Sequence, residues 1–218
     1  PYKELPVDRR GFVGEVPAIV AMQPQDRFPL FTARKLYIHN CGHAVLAYAG
    51  YLRRYAYGYE ALADPAVRAI VTGALTESIG GIVARYNADP AWLQAHVTDL
   101  MHRFANRALG DTIFRLGRDP VRKLAPTDRL TAPAQLAAAT GRTPRHLAWA
   151  IAAALLFDAA EDPAAQELQA RIAARGVAAV LQEITGIAAT SALGQCVLTS
   201  YALLQANPAA DIPAEGQG

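Results

Sequence analysis

Phe31-Thr32-Ala33-Arg34-Lys35-Leu36-Tyr37-Ile38-His39-Asn40-Cys41-Gly42-His43-Ala44-Val45-Leu46-Ala47-Tyr48-Ala49-Gly50-Tyr51-Leu52-Arg53-Arg54-Tyr55-Ala56-Tyr57 is the stretch whose reading decides the fold. It has no period-two alternation and is rich in strong helix formers, so it reads as one long helix, bent at Gly42 or Gly50. Everything after Leu30 continues in the same manner. Asp64-Pro65, Asp89-Pro90 and Asp162-Pro163 each place a capping carboxylate before a proline suited to the first helical position. They predict helices running to about Tyr86, through Phe104 and to near Gly176. Thr127 reads as a cap before a short turn, Ala132-Pro133 as the start of a helix ending at Gly141, and Thr143-Pro144 as the opening of an apolar helix to Phe157. A last helix is expected from about Ala189 to Gln205. The fold class is therefore all-α and multi-helix, with the helical domain at 30–206. Residues 1–29, carrying prolines, glycines and short apolar alternations, read as extended chain with one or two edge strands that lack a partner within the sequence. Residues 207–218, rich in proline and glycine, read as a flexible tail.

Composition narrows the function classes. Of 218 residues, 52% are hydrophobic and only 18% charged, which suits a packed domain and argues against a disordered chain. Net charge is +2 with no block of like charges, so nucleic acid is not an expected partner. No uninterrupted apolar run reaches 18 residues, so no membrane partner is expected either. Two cysteines, Cys41 and Cys196, make no disulfide scaffold and suit a reducing, cytoplasmic compartment. No basic-then-apolar leader opens the sequence given, and its start at Pro1 suggests a piece of something longer.

Within the deciding stretch, Lys35, Asn40 and His43 stand out. On an α-helix Lys35 and Asn40 subtend about 140°, and Lys35 and His43 about 80°, so the three project to one side. Polar groups gathered on an otherwise apolar helix are costly to bury unpaired, and a wet or ligand-filled cleft is their natural setting. A lysine walled by apolar neighbours drops its pKa and can act as a general base. Asn40 can hydrogen-bond an oxygen as charge develops on it, and His43 can serve a second hydroxyl. On residue types alone a solvated lysine and a satisfied core histidine explain the pattern as well. His39 and His43, four apart, also fit two ligands of a metal face, but no third ligand stands at a convincing position and no metal is expected.

Lys35-x4-Asn40-x2-His43 resembles the signature of the polyol-specific long-chain dehydrogenases. The wider run, with Ala33-Arg34-Lys35-Leu36, Gly42-His43-Ala44 and Ala47-Tyr48-x-Gly50, is similar in particular to the mannitol-1-phosphate 5-dehydrogenases. A second block agrees: Arg103-Phe104-x-Asn106, Leu109-x-Asp111, Arg115-x-Gly117-Arg118-Asp119-Pro120-x-Arg122-Lys123-Leu124 and Asp128-Arg129-Leu130. The resemblance spans about Tyr2 to Gln205. It implies the helical C-terminal domain of an enzyme whose N-terminal, Rossmann-type domain binds NAD, with residues 1–29 the remnant of that half. The implied reaction is metal-independent hydride transfer between mannitol 1-phosphate and fructose 6-phosphate. Lys35 would be the catalytic acid/base, and Asn40 and His43 would bind substrate.

The sequence departs from that whole in having no Gly-x-Gly-x-x-Gly after a strand, so no cofactor-binding residue is assigned here and the chain alone is expected to be inactive. Arg115, Arg118 and Arg122 are the candidates to meet a sugar phosphate, with a solvated basic surface the competing reading. Mannitol 2-dehydrogenases and uronate reductases share the signature and remain rivals, as does a non-catalytic helical binding module. A helical half lacking its partner domain is also expected to expose apolar surface and to self-associate. Glu77, His96, His102 and His146 read as weaker candidates, with His96 and His102 diverging on their own helix.

Overall fold

The computed structural model describes residues 5–212. Two short strands, β1 (Leu5–Asp8) and β2 (Met22–Gln25), pair in parallel with Leu5 opposite Met22 and Asp8 opposite Gln25. The strands expected to lack a partner thus find one inside their own segment. Both carry a proline, Pro6 and Pro24, which a sheet of two edges tolerates. The rest of the described chain is helical: α1 (Phe28–Ala33), a π-helical segment (Arg34–Asn40), α2 (Cys41–Leu52), α3 (Gly58–Ala63), α4 (Pro65–Tyr86), α5 (Pro90–Phe104), α6 (Ile113–Gly117), α7 (Pro120–Lys123), α8 (Thr131–Ala138), α9 (Arg145–Leu155), α10 (Pro163–Arg175), α11 (Val177–Thr185) and α12 (Ala192–Ala206).

The aspartate-proline starts fold as their chemistry dictates. Asp64, Asp89 and Asp162 accept from the backbone N–H of Ala66, Ala91 and Ala164 at 2.8, 2.8 and 3.1 Å. The N-terminus of α9 is built differently. Pro144 offers no side-chain cap, and Glu77 of α4 accepts from the N–H of His146 and of Leu147, both at 2.9 Å. Glu77 is thereby a cap supplied across the interface rather than a group facing substrate.

The long first helix is continuous from α1 through α2 but ends at Leu52, short of Tyr57, where Arg54 turns left-handed and α3 begins. A Cβ at Gly42 would lie 3.1 Å from the Phe104 ring, and one at Gly50 only 2.6 Å from Ile113 Cδ1. Both glycines let neighbouring elements approach the helix closely.

The core lies around α9, where every residue from Leu147 to Leu155 is buried, packed by α12, α4, α2 and α8. Burial of that much aliphatic surface is the main favourable term in the fold. Among the described residues α4 is the one helix long and apolar enough to cross a membrane, yet its Val67, Ile70, Val71, Ala74, Leu75 and Ile82 are buried against its neighbours. Fully buried Tyr48 donates its hydroxyl to the Gly117 carbonyl at 2.8 Å, tying α2 to α6. Residues 1–4 of the expected extended segment and 213–218 of the expected tail lie outside the described residues. The described part of that tail is held: Arg53 donates to the Ala209 carbonyl (2.9 Å) and pairs with Asp211 (3.1 Å), and Ile212 packs on the core.

Candidate functional site

The residues Arg34–Asn40 form a π-helical turn, closed by i→i+5 bonds such as that from the Cys41 N–H to the Leu36 carbonyl. In such a turn each residue rotates by less than the α-helical step. The angle between Lys35 and Asn40, five residues apart, is therefore narrower than the 140° of an ideal α-helix. The local winding brings these two polar side chains towards one meridian. Two contacts hold the segment in place. Ser78 of α4 donates from Oγ to the Tyr37 carbonyl at 2.5 Å. Arg34, 8% exposed, lays its guanidinium 4.4 Å from the Trp92 ring centroid of α5 and 5.2 Å from that of Phe31.

Lys35 reaches solvent, yet its ammonium is held below the ordinary lysine value, first by partial desolvation and then by the Arg103 and Arg129 cations. Asn40 is half-buried, and its carboxamide makes no hydrogen bond to any described residue. His43 rests on Phe104, ring centroids 4.2 Å apart. Burial, followed by the charges of Lys35, Arg115, Arg103 and Arg129, lowers its pKa to about 4, so it is neutral at pH 7. A neutral imidazole keeps one N–H to give and one lone pair to accept.

Two further histidines join this cluster. His39 lies 5.1 Å from His43 and 6.1 Å from His96, centroid to centroid. Desolvation lowers His39 to about 3 and His96 to about 4, each with help from neighbouring cations. Sequence spacing within α5 hid His96, because convergence with His39 depends on how α5 packs against the π segment. Among the described residues no group of three His, Cys, Asp or Glu side chains is placed to hold a metal ion. Cys41 is wholly buried and its thiol is pushed up by desolvation beyond any nucleophilic range.

The arginines divide. Arg115 is ion-paired to Asp111, and its charge is felt at His43. Arg122 is exposed and engaged by Asp119, Nε to Oδ2 at 2.7 Å. Arg118 is also exposed; its backbone N–H donates to the Phe114 carbonyl at 2.9 Å and its carbonyl accepts from the buried Lys123 ammonium, while no contact with a described residue engages its side chain. None of the described contacts joins the side chain of Arg118 or Arg122 to Lys35, Asn40 or His43. Two cations that sequence reasoning did not single out help to lower the pKa of both Lys35 and His43. Arg103 pairs with Asp99 at 3.0 Å while its Nη2 is buried with no hydrogen bond, and Arg129 is only 16% exposed. Their signal in the sequence was the motif blocks that contain them, which assign no role by position.

Comparison with known proteins agrees with this architecture. Residues 28–205 match the family described as Mannitol dehydrogenase C-terminal domain. Among solved structures, Pseudomonas fluorescens mannitol 2-dehydrogenase, in ternary complex with NAD and D-mannitol, superposes with a TM-score of 0.71 at 21% identity. That superposition covers 87% of this chain and 41% of the other. A D-sorbitol dehydrogenase in substrate-free form superposes with the same TM-score, 0.71, at 19% identity, covering 88% of this chain and 42% of the other. The chain thus spans less than half the length of either structure.

Proposed function

The chain belongs to the mannitol dehydrogenase C-terminal domain family, and on that premise we propose that it is the substrate-binding, acid–base half of an NAD-dependent polyol dehydrogenase. Its substrate pair in this reading is mannitol 1-phosphate and fructose 6-phosphate. The observation that supports the reading is the π turn that carries a lysine of lowered pKa and a carboxamide with no hydrogen bond to a described residue, followed on the same continuous helix by an imidazole neutral at pH 7.

In oxidation, Lys35 Nζ, as the free amine, takes the proton of the reacting hydroxyl; in reduction it returns that proton to the carbonyl oxygen. The Asn40 carboxamide N–H donates to the same oxygen while charge builds there. His43, being neutral, orients an adjacent hydroxyl without adding charge. Arg115 is the member of the basic block this reading keeps near substrate. NAD supplies the hydride acceptor. Among the described residues neither strand runs into a glycine-rich helix start, so the residues present do not fit a dinucleotide cradle, and the reading assigns NAD to a domain outside this chain.

The test is turnover by the full-length protein that carries this chain, followed as NADH formation. Lys35→Ala should lower kcat for mannitol 1-phosphate by about 10²–10⁴, with partial rescue by added primary amines. Near-normal kcat in that variant would overturn the assignment. The fold likeness to a mannitol 2-dehydrogenase favours a second reading, oxidation of the free polyol. A preference of the wild-type enzyme for mannitol over its phosphate would select it.

A further inference from the structure

We propose that His39 is a positioning residue: its ring, backed by His96, holds the His43 imidazole in the plane in which it meets substrate.

His43 has few other means of fixing that plane. The torsion that turns a histidine ring is broad and roughly two-fold, so the helix backbone places the ring without choosing its orientation. An imidazole that serves a ligand through one nitrogen is ordinarily oriented by a hydrogen bond at the other. His43 makes none to a described residue. Two rings bear on it instead. Phe104 lies 4.2 Å away, centroid to centroid, tilted by 41°. His39, one turn earlier on the same helix, lies 5.1 Å away and meets it edge to face at 65°. Rotation of the His43 ring disturbs both contacts at once.

Helix α5 supports both flanking rings. Phe104 belongs to it and is buried, and Gly42 gives that ring its room, since a Cβ there would stand 3.1 Å from Phe104 Cε2. His96, two turns before Phe104, lies 6.1 Å from His39 with the rings inclined at 33°. Its Nε2 is buried without a hydrogen bond, so this ring enters the cluster as packing surface. The three imidazoles are neutral at pH 7 and pack at these distances without like-charge repulsion. Lys35, His39 and His43 follow one another at intervals of four, so His39 occupies the turn between the lysine and the imidazole. Position 39 is unassigned in Lys-x4-Asn-x2-His, and its role here follows from contact rather than from the motif.

What His43 serves rests on the proposed reading, and a measurement without substrate keeps the two apart. Full-length protein carrying isotope-labelled histidine would be observed by NMR, with His43 assigned through its loss in His43→Gln. In wild type the His43 ring should show a single tautomer and restricted motion. His39→Ala should average the tautomers and loosen the ring. His39→Phe, which restores an aromatic edge without an imidazole, should return it to the wild-type pattern. In turnover of mannitol 1-phosphate, or of mannitol should the wild type prefer it, His39→Ala should lower kcat/KM by about 10- to 100-fold, the scale of a misplaced binding group. In a His43→Gln background the same substitution should cost under about 2-fold, because a residue acting through His43 has nothing left to position. Where His39→Ala does not fold, His39→Gln, similar in size but without a ring, takes its place. Unchanged His43 signals in His39→Ala, failure of His39→Phe to restore them, or a full further loss of turnover in the His43→Gln background would each overturn the assignment. Signals that respond as described in a protein without dehydrogenase activity would uphold the placement of His43 and remove the proposed reaction.

Discussion

At the scale of single residues, the site works by depriving its bases of their usual charge. Partial desolvation lowers the pKa of Lys35 most, and the Arg103 and Arg129 cations lower it further. The proposed oxidation needs the amine free, so its rate should rise with pH through a midpoint below the 10.5 of an ordinary lysine. Removing a neighbouring cation relieves that pressure. In Arg103→Met the ascending limb of the kcat profile should move to higher pH, towards the ordinary lysine value, while the plateau rate changes less. A profile that stays in place would mean that Arg103 does not act on Lys35 and that desolvation alone sets its basicity.

At the scale of elements, the π turn makes the difference between a helix that carries polar residues and one that presents them together. Such a turn is a local fault in the i→i+4 ladder, and tertiary contacts must hold it. Ser78 does so by donating to the Tyr37 carbonyl, so Ser78→Ala should cost about 1–2 kcal/mol through loss of that bond. If the bond fixes the winding, the variant should lose kcat more than thermal stability accounts for at the assay temperature. Unchanged kcat in a folded variant would assign the turn to the Arg34–Trp92 contact instead. This is also where reading the sequence met its limit. Asp64, Asp89 and Asp162 announce their helices because a cap and a proline are local chemistry. The π turn has no composition of its own, and helical periodicity at 100° per residue misplaced Asn40 relative to Lys35. Helix α11 went unseen because Gly176 gives it no capping side chain and its apolar run lacks a start signal. The α9 cap was illegible for the opposite reason, since Glu77 lies 69 and 70 residues before its partners.

At the scale of the molecule, the histidines couple the site to the stability of the whole domain. His39, His43 and His96 sit on two packed elements, the long first helix and α5, and all three are held neutral by desolvation, at about 3, 4 and 4 against an ordinary 6.5. The sign follows from linkage. A base whose folded pKa is depressed takes up a proton when the chain unfolds, so between the folded and unfolded values the unfolded state binds more protons and stability rises with pH. The contribution of these groups is fully present above about pH 7 and declines as the pH falls through 6.5 towards 4. Denaturant unfolding at a series of pH values should therefore show stability dropping steadily over that window, with a net uptake approaching three protons from these residues near pH 5, beyond that due to carboxylates. Replacing His96 by Gln, which keeps a neutral hydrogen-bonding side chain at the same place, should remove one proton from that uptake and flatten the slope. A slope unchanged in His96→Gln would mean that this imidazole is already protonated in the native cluster. In that case the cationic environment of Lys35 would hold one charge more than the burial of His96 predicts, and the basicity of Lys35 would be set by a histidinium as much as by Arg103 and Arg129.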